Sequence, residues 1–245
     1  MKLDIGESVH VPGFLVGLGD NYPSSMVEGK IVARGIGFYI IDGIPGKSES
    51  FKVKCGLVQK KLYFLIVQIG DFESEDMLLD PLFDIVVSYT NILLMSENVR
   101  KIRVRSMKEF QIFWERLSPI VSNVVIIGHG SIDGLIFGNE NITAKHFIDL
   151  LESGKNIKQA VQIISLCCKS GNGNFGKRVS GIPFCQSFIG PADNIHACNA
   201  TIFYQTFINY QMLYGKSDRD SYLFAKAATP GNTKFNMWVK TKLQQ

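Results

Sequence analysis

Two apolar runs in this chain end on side chains that can carry out acyl-transfer chemistry. Val124-Val125-Ile126-Ile127-Gly128 runs into His129-Gly130, and Val161-Gln162-Ile163-Ile164-Ser165-Leu166 runs into Cys167-Cys168. An imidazole beside a thiol is the smallest set of groups that makes a cysteine nucleophile. A free thiol is mostly protonated at neutral pH, and an imidazole can take that proton and later give it to a leaving amine. Alone, each residue has a plainer reading, Cys168 as a small buried hydrophobe and His129 as a loop residue. Together on two strand ends they suggest a dyad. Adjacent side chains on a strand point to opposite sides, so only one of the two cysteines faces His129. The register favours Cys168, with Cys167 as its rival.

The elements around these residues supply the means of bringing them together. Residues 62–69, 101–104, 123–127, 160–166 and 184–189 read as strands. Helical periodicity covers 76–95, interrupted at Pro81, and 107–117, where Ser106 as N-cap and Glu109 at the third position form a capping box. Further helices are predicted over 143–153, closed by Gly154, over 195–214, closed by Gly215, and from Ser217 or Asp218 to Ala228, stopped by Pro230-Gly231. Strands that alternate with helices imply an α/β fold, a mostly parallel sheet with helices on both faces. The single helix between the His129 and Cys168 strands fits a crossover between parallel neighbours. Both residues would then emerge at the carboxyl edge of one sheet, where open α/β sheets keep their sites.

Residues 1–60 differ in texture. They are rich in glycine and β-formers, with turn signals at Asp42-Gly43 and Pro45-Gly46, and 31–41 and 50–58 read as strands of a small meander. The expected division is a β-rich N-terminal region over 1–60 and a catalytic domain over 61–245.

Composition narrows the function classes. The chain has 245 residues, 46% hydrophobic and 20% charged, with a formal charge of +4. That is ample core material and too little charge to argue for direct nucleic-acid binding. The cluster Arg100-Lys101-Ile102-Arg103-Val104-Arg105 reads as an edge strand with charged outward positions. Five cysteines without a paired framework imply reduced thiols and a cytoplasmic setting. No apolar stretch has membrane-spanning length, so no membrane partner is expected.

The layout resembles the caspase-like cysteine peptidases of clan CD, in which a His-Gly pair follows one apolar strand and the nucleophile follows the next. Within the clan it is most similar to CHAT domains, relatives of caspases and separase. Their nucleophile block is matched by Ser165-Leu166-Cys167-Cys168-Lys169-Ser170-Gly171. The next block is matched by Phe188-Ile189-Gly190-Pro191-Ala192-Asp193, the following helix by Ala200-Thr201-Ile202-Phe203-Tyr204-Gln205-Thr206-Phe207, and the last helix by Tyr222-Leu223-Phe224-Ala225-Lys226-Ala227. The similarity runs from about residue 62 to 228. Two places depart from the pattern: the segment after Cys168 is short, and Lys169 replaces the usual acidic residue. The resemblance implies a cysteine endopeptidase with His129 and Cys168 as the dyad, no cofactor, and a protein or peptide substrate. It also implies oxyanion donors at the backbone N–H groups of Gly130 and Cys168. Gly130, without a Cβ, allows close backbone approach. Asp193 would line the pocket for the residue before the scissile bond and favour arginine or lysine there; its plainer reading is an N-cap. A regulatory protein partner, or the N-terminal region, is expected to control activity, and relatives often serve bacterial defence.

Other readings compete. A catalytically silent caspase-like module would signal by binding alone. The segment from Gly171 to Lys177 matches both G-x-G-x-x-G and G-x-x-x-x-G-K, which would make a nucleotide site. Both motifs need a long helix to follow, and Gly181 and Pro183 break the chain almost at once. A mobile loop shaping the substrate cleft is the better reading. His196 and Cys198 lack further ligands at useful spacing for a metal, and His10 and His146 are read as surface or helix-face residues.

Overall fold

The computed structural model describes residues 3–18, 25–71, 73–157, 159–231 and 234–244. The N-terminal part is an antiparallel sheet of five strands: β1 (Ser8–Pro12), β2 (Met26–Gly35), β3 (Phe38–Asp42), β4 (Phe51–Lys54) and β5 (Gln59–Lys60), in the order β4-β3-β2-β1-β5. The meander expected over 31–41 and 50–58 is there, but the first of its strands is a hairpin that turns at Ile36-Gly37. Val9, Val11, Val27, Ile31, Ile41 and Val53 give this sheet its own apolar cluster. His10 belongs to the interior, contrary to its reading as a surface residue. It is 1% exposed, and its Nδ1 accepts the Leu62 N–H at 2.9 Å. Burial pushes the imidazole down to about 4, with the charge of Lys61 acting the same way and that of Glu28 opposing.

The rest of the chain builds one seven-stranded sheet. Strand β6 (Phe64–Ile69) leads through α1 (Asp80–Leu93) to β7 (Val99–Val104), and α2 (Met107–Leu117) leads to β8 (Asn123–Ile127). A hairpin sheet follows, of β9 (His129–Gly130), β10 (Gly134–Phe137) and β11 (Glu140–Thr143), before α3 (Ala144–Glu152). Next come β12 (Val161–Ser165), the four-residue α4 (Gly176–Val179), β13 (Cys185–Pro191), α5 (Ala197–Met212) and α6 (Asp218–Ala228). The chain ends in β14 (Phe235–Val239) and β15 (Lys242–Gln244).

The sheet order is β15-β14-β13-β12-β8-β6-β7, parallel from β13 to β7 and antiparallel at β14 and β15. All residues of β6, β8 and β12 are buried. They feed two separate apolar layers, because alternate side chains face opposite sides. Leu65, Val67, Val124, Ile126 and Ile163 pack with Phe110, Trp114 and Phe147 of α2 and α3. Phe64, Ile66, Val125, Ile127 and Ile164 pack with Phe83, Phe203, Phe207 and Tyr222 of α1, α5 and α6. This is a caspase-like α/β architecture: a mostly parallel sheet with helices on both faces, preceded by a small β-rich region. No helix among the described residues is long and apolar enough to cross a membrane.

Local chemistry explains several helix ends. Ser106 and Glu109 form the capping box of α2, and Ser217 caps α6. Pro81 does not interrupt α1 but stands in its first turn, where its missing N–H is not needed. The turn before it, Glu75–Leu79, is π-helical. The basic run forms β7, an edge strand as expected, with Arg103 paired to Asp80 and Asp84.

Candidate active site

Strands β8 and β12 are in-register parallel neighbours, with Ile126 opposite Ser165. Their extensions therefore leave the carboxyl edge together. Leu166 N–H still donates to the Ile126 carbonyl at 2.8 Å. Two residues later comes Cys168, and His129 enters β9 beside it. Gly130 lies directly against the cysteine loop: a Cβ there would overlap the Cys168 carbonyl oxygen and crowd Cys167 Cβ. This contact brings His129, Gly130 and Cys168 to one place. The interval between the two strands also holds the β9–β11 hairpin, which the single predicted helix did not anticipate.

The two cysteines have different surroundings. Cys167 is fully buried, its thiol against the Ile126 carbonyl at 3.8 Å, and burial pushes it up to about 12. Cys168 is partly exposed. Its Sγ accepts the Ile195 N–H at 3.4 Å. The next residue, Lys169, has φ of 59°, a left-handed conformation costing a non-glycine residue about 1–2 kcal/mol. The chain thus turns sharply just after the thiol. Lys169 N–H donates to the Asp193 carbonyl at 3.0 Å and Gly171 N–H to the Pro191 carbonyl at 2.7 Å, which ties the turn to the exit of β13.

His129 has partners that the sequence did not single out. Its Nε2 lies 3.0 Å from Asp71 Oδ2 and 2.6 Å from Ser74 Oγ. Asp71 follows the end of β6. The N–H groups of Glu73 and Ser74 donate to its Oδ1 at 2.8 and 2.6 Å, and the Ser74 hydroxyl to its Oδ2 at 2.9 Å. Partial burial raises the Asp71 carboxyl, but the Ser74 and Glu73 N–H groups, the Ser74 hydroxyl and the charge of His129 outweigh it and hold the group below the usual carboxylate range. A carboxylate accepts only, and the Ser74 hydroxyl spends its proton on that carboxylate. The ring proton therefore belongs on Nε2, and Nδ1 is left bare as a base. Asp71 and Ser74 could have been suspected from the sequence: Ile69-Gly70-Asp71 is another strand end at the same edge. Among the described residues no hydrogen bond joins His129 to Cys168.

Asp193 is exposed and lies in the loop whose Ile195 touches the Cys168 sulfur. It is not a helix cap. Helix α5 begins at Ala197 rather than 195, and the cap is His196, whose Nδ1 accepts the Cys198 N–H at 3.2 Å. That bond also gives the His196-x-Cys198 pair its local role, and the described residues contain no group of three or more potential metal ligands.

Several contacts hold the glycine loop in place. The carbonyl of Gly171 accepts from Trp238 Nε1 at 2.7 Å and Asn236 Nδ2 at 3.0 Å, and Asn172 Nδ2 donates to the Ile132 carbonyl at 3.0 Å. Phe175 is fully buried. Two of its glycines serve packing: a Cβ on Gly171 would overlap the Gly190 carbonyl, and one on Gly176 would crowd the Phe188 ring. Only the four residues of α4 follow, too short a helix for the phosphate motifs. With the hairpin, the loop lines an open cleft of about 430 Å3 that includes Asp133, Asn141 and Arg178.

The fold has a counterpart among solved structures. The chain is similar in structure to a secreted C11 cysteine protease from Bacteroides thetaiotaomicron, solved with an irreversible peptide inhibitor, at a TM-score of 0.51 and 10% sequence identity. The match covers 71% of this chain and 65% of that one, slightly less than two thirds of its length. No family model matches the sequence, and no curated protein does.

Proposed function

We propose that the chain is a cysteine endopeptidase of clan CD, with Cys168 as nucleophile and His129 as its acid and base. The observation that carries this reading is the convergence, at the carboxyl edge of the sheet, of a partly exposed thiol, an imidazole and a glycine packed against the cysteine loop. The thiol proton passes to Nδ1 of His129 as Sγ attacks the scissile carbonyl. The oxyanion is met by the N–H groups of Gly130 and Cys168. Collapse breaks the C–N bond, the imidazolium protonates the departing amine, and a thioester remains. Water, deprotonated by His129, then hydrolyses the thioester and restores the thiol. Asp71 and Ser74 hold the ring so that Nδ1 faces the chemistry, and Asp193 selects arginine or lysine before the cut.

The finer assignment is to CHAT domains, from the four sequence blocks around Cys168 and beyond. The N-terminal sheet, or a protein partner docking on it, would supply recognition or switching. Regulated cleavage of the native target that persisted after deletion of residues 1–60 would remove the N-terminal sheet from that role.

The reading is tested by cleavage of a pooled peptide library by the wild type, Cys168→Ala and Cys167→Ala. Cutting after arginine or lysine that disappears only in Cys168→Ala supports both the dyad and the role of Asp193. A second reading, a silent module that signals by binding, is favoured by the imidazole bonding Asp71 and Ser74 rather than the thiol. Labelling of Cys168 by a peptidyl electrophile separates the two, since a silent module leaves that thiol unreacted under conditions where the peptidase is alkylated.

A further inference from the structure

The amino edge of the main sheet, opposite the Cys168 edge, holds a cavity of about 360 Å3. It is enclosed by the last strand of the N-terminal sheet, the starts of β8, β12 and β13, and the turn between α5 and α6. Six of its lining residues are primary amides: Gln59, Asn123, Gln159, Gln162, Gln186 and Gln211. Each commits its NH2 group to the protein. Gln59 donates to the carbonyls of Gln211 and Met212 at 2.7 and 3.2 Å, and Gln159 to that of Ile120. Gln186 and Gln211 donate to the two oxygens of Asp218 at 2.7 and 2.8 Å. Asn123 and Gln162 donate to the hydroxyls of Ser122 and Ser187 at 2.9 and 3.3 Å. A carbonyl or carboxylate can only accept, so for four of the six the orientation of the amide is fixed by its partner.

The oxygens of those four amides have no donor among the described residues, while Asn123 and Gln162 pair with hydroxyls that can meet either end of an amide. One end of the Gln162 amide, placed as Oε1, is buried and unpaired in a residue that is 2% exposed. An unsatisfied buried acceptor costs about 1–3 kcal/mol. Four amide oxygens of fixed orientation and the carboxylate of Asp218, which holds two of those amides, therefore give the cavity wall acceptor character.

We propose that this cavity binds a small zwitterion with a donor-rich side chain, a free amino acid of which arginine is the representative. A guanidinium offers five N–H donors in one plane and can meet several amide oxygens together with Asp218, whose oxygens each keep a lone pair after the glutamine bonds. Lys216, which forms no ion pair among the described residues, lines the same space and supplies a counter-charge for the α-carboxylate. Lys60 also lines it but is paired to Glu7 at 3.5 Å. The volume stands at the low end of the roughly 300–1,000 Å3 typical of small-molecule sites, which suits one amino acid better than a nucleotide or a peptide. Neither His129 nor Cys168 lines the cavity, so the site stands apart from the peptidase reading.

The test is isothermal titration of the full chain with L-arginine, alongside agmatine, which lacks the carboxylate, and L-norleucine, which lacks the guanidinium. Because Asp193 is proposed to attract a basic side chain, every titration is repeated on Asp193→Ala. The expected result is one-to-one arginine binding in both proteins, at least tenfold weaker for agmatine and for norleucine. Gln186→Met, at an exposed position, should weaken arginine at least tenfold. Gln162→Met, checked by thermal melting, should do the same. Absence of arginine binding, equal binding of norleucine, loss of binding in Asp193→Ala alone, or full binding in Gln186→Met would each overturn the proposal.

Discussion

At the residue scale, the arrangement turns on how one imidazole is held. Asp71 is itself fixed by two N–H groups and a hydroxyl, so it can orient His129 without moving. Asp71→Asn should lower kcat about tenfold to a hundredfold with KM little changed, and Asp71→Glu should restore part of the loss, as steady-state kinetics on a cleaved peptide will show. A purely structural role would instead lower the melting temperature and leave the kcat of the folded fraction intact. The folded-state carboxyl is depressed. The Asp71 contribution to stability is thus present above the ordinary carboxylate range and is lost only as pH falls through its folded value. His129 and Cys168 were legible in the sequence because each ends a strand-length apolar run. Asp71 left a weaker signal, since the glycine and acid after the strand end at Ile69 read equally well as an ordinary loop start.

At the element scale, the site depends on turns that are held from outside. Gly171 lies against the Gly190 carbonyl, and its own carbonyl is held by Trp238 and Asn236. Gly171→Ala must push the cysteine loop off β13. It should cost about 1–3 kcal/mol, as overpacking does, and should slow alkylation of Cys168 by iodoacetamide, read as a labelling rate on folded protein. Far from the site, Ser106→Ala removes one half of the α2 capping box. It should cost about 1 kcal/mol in urea unfolding and leave the labelling rate unchanged. Capping and strand runs were readable because they are local. The antiparallel pair β14–β15 was missed: residues 235–239 carry few β-branched side chains, and only pairing with β13 makes them a strand.

At the scale of the whole molecule, the N-terminal sheet is joined to the α/β unit by buried contacts, and His10 is among them. It is neutral in the fold, with a value near 4 against the ordinary 6.5. A histidine with a depressed folded value binds fewer protons when folded than when unfolded between those two pH values. Stability therefore falls as pH drops from about 6.5 to about 4, by up to roughly 3 kcal/mol. His10→Asn keeps an acceptor for the Leu62 N–H but cannot titrate. Urea unfolding at pH 7 and at pH 4.5 should show a larger acid-induced loss for the wild type than for this variant, and equal losses would contradict the role given to His10.

The sequence by itself determined the alternation of strands and helices, the carboxyl-edge position of His129 and Cys168, and the caps of α2 and α6, because each is written in a short window of residues. The tertiary structure decided which strands are neighbours, that Gly130 packs on the cysteine loop, that Asp71 and Ser74 engage the imidazole, and that His10 is interior. It also decided that the glycine loop is a packed turn. These depend on contacts between residues far apart in the chain, and no local pattern of apolar and polar residues records them.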